Sequence, residues 1–80
     1  MPKLKVLSGK ELIRIFFLLG FEIEKQRGSH IKLLRMKDGK KQTLTIPNHK
    51  ELDKGTFKAI IRQSKQYLTE SEILINFYSE

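Results

Sequence analysis

The chain has 80 residues, of which 39% are hydrophobic and 31% charged, so we predict that residues 1–80 form a single folded domain and exclude a disordered chain. The absence of cysteine excludes disulfides and thiolate chemistry. Sixteen Lys and Arg against nine Asp and Glu give a formal net charge of +7, and a folded domain this basic usually binds a polyanion or an acidic protein.

The sequence contains no segment that would direct the chain into a membrane. Its N-terminal residues have no apolar run of signal-peptide length, and no stretch approaches the length of a membrane span. Together with the missing cysteines, these features predict a cytoplasmic protein with no membrane partner.

Positive charge is concentrated in the middle of the chain. Residues 25–41 contain seven Lys and Arg and one acid, Asp38. The last fifteen residues contain Glu70, Glu72 and Glu80 and no Lys or Arg. This distribution favours nucleic-acid binding by the middle segment, although a solvated basic surface would have the same composition.

The first helix is predicted over residues 9–19. Ser8 followed by Glu11 has the spacing of a capping box, and the apolar residues that follow recur at helical intervals. Gly20 can adopt the left-handed conformation that ends a helix.

Two more helices are predicted in the C-terminal half. The second begins near Asp53 or Lys54, and its apolar stripe consists of Phe57, Ile60 and Ile61. Thr69 and Glu72 repeat the capping-box spacing and therefore predict a short third helix. The apolar residues of this third helix are Ile73, Leu74 and Phe77.

Three strands are predicted between the first two helices. Their alternation of apolar and polar residues covers residues 21–25, 30–36 and 42–46. A turn at residues 27–29 separates the first two strands, and the Asp38-Gly39 pair predicts a tight hairpin between the second and third. Pro47 cannot donate to a strand ladder and ends the third strand.

This order of elements predicts an α+β fold, α-β-β-β-α with a short C-terminal helix. Successive hairpins imply a three-stranded antiparallel sheet, and the amphipathic helices are expected on one face of it. If Ile31 and Leu33 face the helices, alternation puts His30 and Lys32 on the open face. A register shift of one residue would invert this assignment.

Gly28-Ser29-His30 is the segment best suited to chemistry. Glycine allows a sharp turn, the serine hydroxyl can bind phosphate, and histidine moves protons near neutral pH. Basic residues on both sides, Arg27 and Lys32 among them, would hold a phosphodiester of RNA. The 2′-hydroxyl of the adjacent ribose can attack that phosphate without a metal. Alternatively, His30 does no more than begin a strand.

His49 and the start of the second helix are further candidates. His49 either supplies a second proton or orients its loop. Thr56 and Lys58 would bind a phosphate at the N-terminus of the second helix, where free N–H groups attract anions. Ordinary helix capping and a solvated basic face are the alternative for these two residues.

Several classes of site are excluded. Two histidines without cysteine give no zinc spacing, and no glycine loop of the nucleotide-binding kind is present. The acidic residues are few and scattered, which argues against a paired-carboxylate metal nuclease. We therefore predict neither a metal nor another cofactor.

Three segments together resemble the HicA (YcfA-like) mRNA interferase toxins. They are Arg27-Gly28-Ser29-His30-Ile31, Ile46-Pro47-Asn48-His49, and residues 51–63. The similarity extends over residues 7–74, and the order and spacing of the segments are more specific than any one of them.

The resemblance implies a fold like that of the double-stranded-RNA-binding domain, cleavage of mRNA, and a HicB-type antitoxin as partner. The catalytic histidine of the family corresponds to His30, and the two residues before it shape the same motif. The roles given to Lys32, His49 and Thr56 come from the residues alone.

Two other functions remain as alternatives. A non-catalytic RNA-binding module of the same fold would also need the basic middle segment. A DNA-binding regulator ranks last, because strands separate the long helices and leave no helix-turn-helix. The nuclease prediction requires an exposed His30 imidazole among cations, and burial of that ring among aliphatic side chains would contradict it.

Overall fold

The computed structural model describes residues 2–80 and contains the three predicted helices and three predicted strands in the expected order, together with a short strand near each end. The elements are β1 (Lys3–Leu4), α1 (Gly9–Leu18), β2 (Glu22–Arg27), β3 (His30–Lys37), β4 (Lys40–Pro47), α2 (Lys54–Ser64), α3 (Glu70–Phe77) and β5 (Tyr78–Ser79). The predicted α+β fold is therefore confirmed, with strand ends that differ from the prediction by one or two residues. Within residues 2–80, no helix has the length and apolar character needed to cross a membrane.

Both predicted capping boxes are formed. The Ser8 hydroxyl accepts a hydrogen bond from the Glu11 N–H at 3.0 Å, and the Glu11 carboxylate accepts one from the Ser8 N–H at 2.9 Å. Thr69 and Glu72 make the same reciprocal pair at 3.1 and 2.8 Å. These bonds satisfy backbone donors that have no partner inside a helix, which explains why α1 and α3 begin where they do.

The strands β2, β3 and β4 form an antiparallel sheet with β3 in the centre. Both connections are two-residue turns. Asp38 and Gly39 have φ values of 53° and 74°, so the predicted Asp-Gly turn is left-handed at both positions, as a type I′ turn requires. In the first hairpin the positive φ, 60°, belongs to Gly28, the first central residue, which is the pattern of a type II′ turn.

The helices cover one face of this sheet. Ile31 and Leu33 are 4% and 1% exposed and face the helices, so the predicted register of β3 is confirmed. The core contains a cluster of four phenylalanines in addition to the aliphatic residues of the sheet and helices. They are Phe16, Phe21, Phe57 and Phe77.

Arg35 also lies on the helix side of β3, where it joins three parts of the fold. Its guanidinium donates hydrogen bonds to the Leu19 carbonyl at 2.9 Å and the Tyr67 carbonyl at 3.1 Å, and its Nε donates to Gln42 at 2.7 Å. Its guanidinium carbon lies 4.7 Å from the centre of the Phe21 ring. This cation of the basic middle segment is therefore structural and is not part of the open face.

Two features of the fold differ from the predictions. Ile23 and Leu74, expected on apolar faces, are 58% and 45% exposed. β2 is an edge strand whose residues are all exposed, so the alternation in its sequence does not correspond to burial. The small sheet formed by β1 and β5, which joins the two ends of the described chain, was not predicted because two-residue strands have no readable period.

Candidate functional site

His30 stands at the end of the sheet, on the face that the helices leave open. It is the first residue of β3 and pairs with Arg27 on β2 and with Pro47 on β4. Its side chain is exposed, and the next residue, Ile31, is buried on the opposite face. The imidazole is therefore accessible to a ligand that lies against the open face of the sheet. Its cross-strand neighbour on that face is the cation Arg27.

The hairpin that carries His30 is tied to the loop after β4. The Gln26 side-chain amide donates a hydrogen bond to the Gly28 carbonyl at 3.2 Å, which stabilises the turn between β2 and β3. The Asn48 N–H donates to the Ser29 carbonyl at 2.6 Å, which connects the turn to the end of β4. These two bonds fix the backbone immediately before His30.

The loop after β4 is in turn fixed by the start of α1. The Gly9 N–H donates to the His49 carbonyl at 2.8 Å. A Cβ at Gly9 would collide with the Pro47 carbonyl and would lie 2.8 Å from the Asn48 Cα. Only glycine fits here. Gly9 was not among the predicted site residues, although a glycine directly after the Ser8 helix cap was a possible signal.

His49 takes part in this loop through its backbone. Its carbonyl accepts from Gly9, and its N–H donates to the Pro47 carbonyl at 3.0 Å, while its side chain is exposed. Because both contacts are made by the backbone, the two roles considered for the His49 side chain, a second proton carrier or a loop-orienting group, stay predictions.

The open face next to His30 is basic. Lys25 and Lys32 are directly opposite each other on β2 and β3. Like charges in that position destabilise a sheet, so their presence suits an anionic ligand better than it suits the fold. Within residues 2–80 the two ion pairs both involve Glu24, which contacts Lys32 at 3.4 Å and Lys41 at 3.8 Å, while Lys25 and Arg27 form none.

Five of the predicted site residues are thus brought together at one end of the open face. They are Arg27, Gly28, Ser29, His30 and Lys32. Glu24 and Lys41 belong to the same face but were not singled out from the sequence, because their positions depend on the strand register. Within the described residues, no group of three or more His, Asp and Glu side chains is arranged to hold a metal ion.

Thr56 and Lys58 lie elsewhere. They belong to α2, which packs on the opposite face of the sheet through Phe57. The Thr56 hydroxyl donates to the N-cap carboxylate of Asp53 at 2.6 Å, and this bond, followed by that from the Thr56 N–H, lowers the pKa of Asp53. Lys58 is exposed and lines a shallow groove with Arg62. The structure therefore does not bring these two residues to His30.

Comparison with known families relates the chain to a toxin family. A protein-family model described as "HicA toxin of bacterial toxin-antitoxin" matches residues 9–66. The matched segment runs from the start of α1 to just beyond α2 and includes the whole of the larger sheet with His30. No curated protein matches the chain at a significant level.

Proposed function

The chain belongs to the HicA toxin family of bacterial toxin–antitoxin systems, and we propose that it acts as a metal-independent endoribonuclease that cleaves mRNA with His30 as general acid and base. The observation that carries this proposal is the position of the imidazole, exposed at the end of an open basic face and paired across the strands with Arg27. An mRNA substrate implies that the protein acts in the cytoplasm.

The proposed reaction is an attack of the RNA on itself. His30 takes the proton of a ribose 2′-hydroxyl, the 2′-oxygen attacks the adjacent phosphorus, and a 2′,3′-cyclic phosphate forms. The bond to the 5′-oxygen breaks, and the same imidazole returns the proton to that leaving group. Proton transfer by a positioned side chain typically contributes about 10²–10⁴-fold to the rate.

Cations near the imidazole would stabilise the charge that develops on the phosphate oxygens. Arg27 is the nearest candidate by register, with Lys25 and Lys32 one cross-strand pair further along the face. Gly28 and Ser29 would shape the turn on which the phosphodiester lies. We place Thr56 and Lys58 outside the reacting centre, where they would contact only more distant parts of an RNA.

The decisive experiment compares the wild-type protein with His30→Ala. We expect the variant to lose cleavage of a single-stranded RNA by about 100-fold or more while keeping its fold and its RNA affinity. Cleavage by the wild type should continue in EDTA. A variant that cleaves at the native rate would show that His30 is not catalytic.

The same assay tests the alternative of a non-catalytic RNA-binding module. Salt-sensitive RNA binding by the wild type without any cleavage product would establish that alternative. The family also implies an antitoxin partner, and we propose that this partner is of the HicB type. The net charge of +7 supports an acidic contact surface on that partner.

A further inference from the structure

An apolar groove runs between α1 and the edge strand β2, and we name it the α1–β2 groove. It has a volume of about 470 Å³. Its apolar lining consists of Ile13, Phe17, Phe21, Ile23 and Leu33. Leu33 is on the helix side of β3, so the groove lies away from the open face that carries His30.

The groove exposes large apolar side chains that the fold leaves uncovered. Phe17 and Ile23 are 62% and 58% exposed, and both line this one groove. Scattered apolar residues are normal on a protein surface, whereas apolar residues gathered in one concave patch mark a contact site. β2 is the edge of its sheet, so within residues 2–80 no neighbouring strand covers the groove on that side.

The rim of the groove is basic. Lys10 and Arg14 lie one helical turn apart on α1, and both are exposed. The acid of the rim, Glu11, is engaged in the capping box with Ser8, and the hydrogen bond from the Ser8 backbone lowers its pKa. A segment that fits this surface has apolar residues for the floor and carboxylates for Lys10 and Arg14.

These features select among the possible occupants. A second copy of the chain on a two-fold axis would bring the same cations, Lys10 and Arg14, towards each other. An RNA strand would find an apolar floor in place of donors for its phosphates. A toxin of this family has an antitoxin partner, and the groove has the chemistry to receive an acidic one.

We propose that the α1–β2 groove is the docking site for an acidic, apolar segment of the antitoxin. This inference rests on the antitoxin pairing within the proposed function and is independent of RNA cleavage. Because the groove and His30 are on different faces, contact at the groove anchors the antitoxin without occupying the catalytic residue.

The test uses the full-length antitoxin encoded by the reading frame next to that of this chain. Its affinity is measured by calorimetry for the wild type, Phe17→Ser and Ile23→Ser. Ile75→Ser serves as the matched control, because Ile75 is 74% exposed but lies on α3, outside the groove. We expect the two groove variants to bind about tenfold more weakly or worse, and the control to stay within about twofold of the wild type.

The charge of the rim is tested with Arg14→Glu. We expect the antitoxin affinity of this variant to fall about threefold or more at low salt, with a difference that narrows as salt is raised. Unchanged thermal unfolding and RNA cleavage in the groove variants would show that they fold. Antitoxin binding and RNA cleavage are measured separately on the same proteins. Failure of the docking proposal can therefore be distinguished from failure of the nuclease proposal.

Two results would overturn the inference. One is antitoxin binding by Phe17→Ser and Ile23→Ser that equals binding by the Ile75→Ser control. The other is sedimentation of the wild type alone as a dimer that Phe17→Ser converts to a monomer, since the occupant would then be a second copy of the chain.

Discussion

Glu24 reaches across the open face to Lys32, with 3.4 Å between its Oε1 and the lysine Nζ. Its other oxygen lies 3.8 Å from the Nζ of Lys41. The register of β2 shifts between Ile23 and Lys25, so Glu24 has no regular partner on β3, and this irregularity accompanies its contact with cations of two different strands. Glu24 is thus an internal counter-ion for Lys32, which the proposed RNA would contact, and for Lys41.

We predict that Glu24→Gln binds single-stranded RNA about fivefold more tightly than the wild type at low salt, because the phosphates no longer compete with a carboxylate a few ångströms from two ammonium groups. Glu22→Gln is the matched control, since Glu22 is on the same strand but outside both ion pairs. Fluorescence anisotropy measures the affinity, with His30→Ala as the background to prevent cleavage. Equal or weaker binding by Glu24→Gln would mean that the carboxylate does not compete with RNA.

Lys32 and Lys58 should differ in their effect on RNA binding, because they lie on opposite sides of the sheet. Lys32→Ala should weaken binding of a short oligonucleotide and reduce the slope of log Kd against log salt by about 0.7, the loss of one phosphate contact on a single strand. Lys58→Ala should leave both quantities near the wild-type values. A larger effect of Lys58→Ala than of Lys32→Ala would place the RNA on the helix side.

Gly9→Ala should destabilise the fold and disturb the site together. The added methyl group collides with the Pro47 carbonyl in the loop that holds the His30 hairpin, and overpacking of this kind costs about 1–3 kcal/mol. Urea unfolding gives the free-energy change, and RNA cleavage reports the effect on the site.

Gly55→Ala is the comparison for Gly9→Ala. Gly55 is also in the first turn of a helix, but its nearest neighbour for a Cβ is the N-cap oxygen of Asp53 at 3.3 Å, so a methyl group would require a shift of only a few tenths of an ångström. We expect a change in the free energy of unfolding within about 1 kcal/mol of zero, since alanine also favours the helix. Equal effects of the two substitutions would exclude a special role for the Gly9 contact.

Low pH should destabilise the N-terminus of α3, where Glu72 is part of the capping box. The hydrogen bond from the Thr69 backbone lowers the pKa of Glu72 below its ordinary value of 4.5. A group whose pKa is lower in the folded state stabilises the fold above its unfolded pKa, and that contribution is lost as the pH falls through the folded value. The stability that depends on Glu72 is therefore present at neutral pH and declines as the pH falls below about 4.5.

Glu72→Gln tests this dependence. We expect a smaller loss of stability between about pH 6 and pH 3 in this variant than in the wild type, as measured by urea unfolding. Glu70→Gln, on the same helix but outside the capping box, should keep the wild-type dependence. Identical pH profiles for the two variants would contradict the linkage to the Thr69–Glu72 pair.

Much of the fold could be predicted from short sequence patterns. The two capping boxes, the Asp38-Gly39 hairpin and the three strands depend on residues within a few positions of each other, and all are present. The exposure of His30 followed from the same kind of pattern, because alternation around the buried Ile31 needs no knowledge of distant residues.

What depended on distant residues could be decided only by the tertiary structure. Arg35 lies on the helix side because its guanidinium donates hydrogen bonds to the Leu19 and Tyr67 carbonyls there. Residue 9 must be glycine because the backbone of the loop after β4 packs directly against it. Ile23 remains exposed because α1 and α2 pack mainly over β4 and leave β2 largely uncovered, and Glu24 contacts Lys32 where the register of β2 is irregular. Local sequence determines which secondary structure a segment adopts, whereas the surroundings of a side chain are set by parts of the chain that meet only after folding.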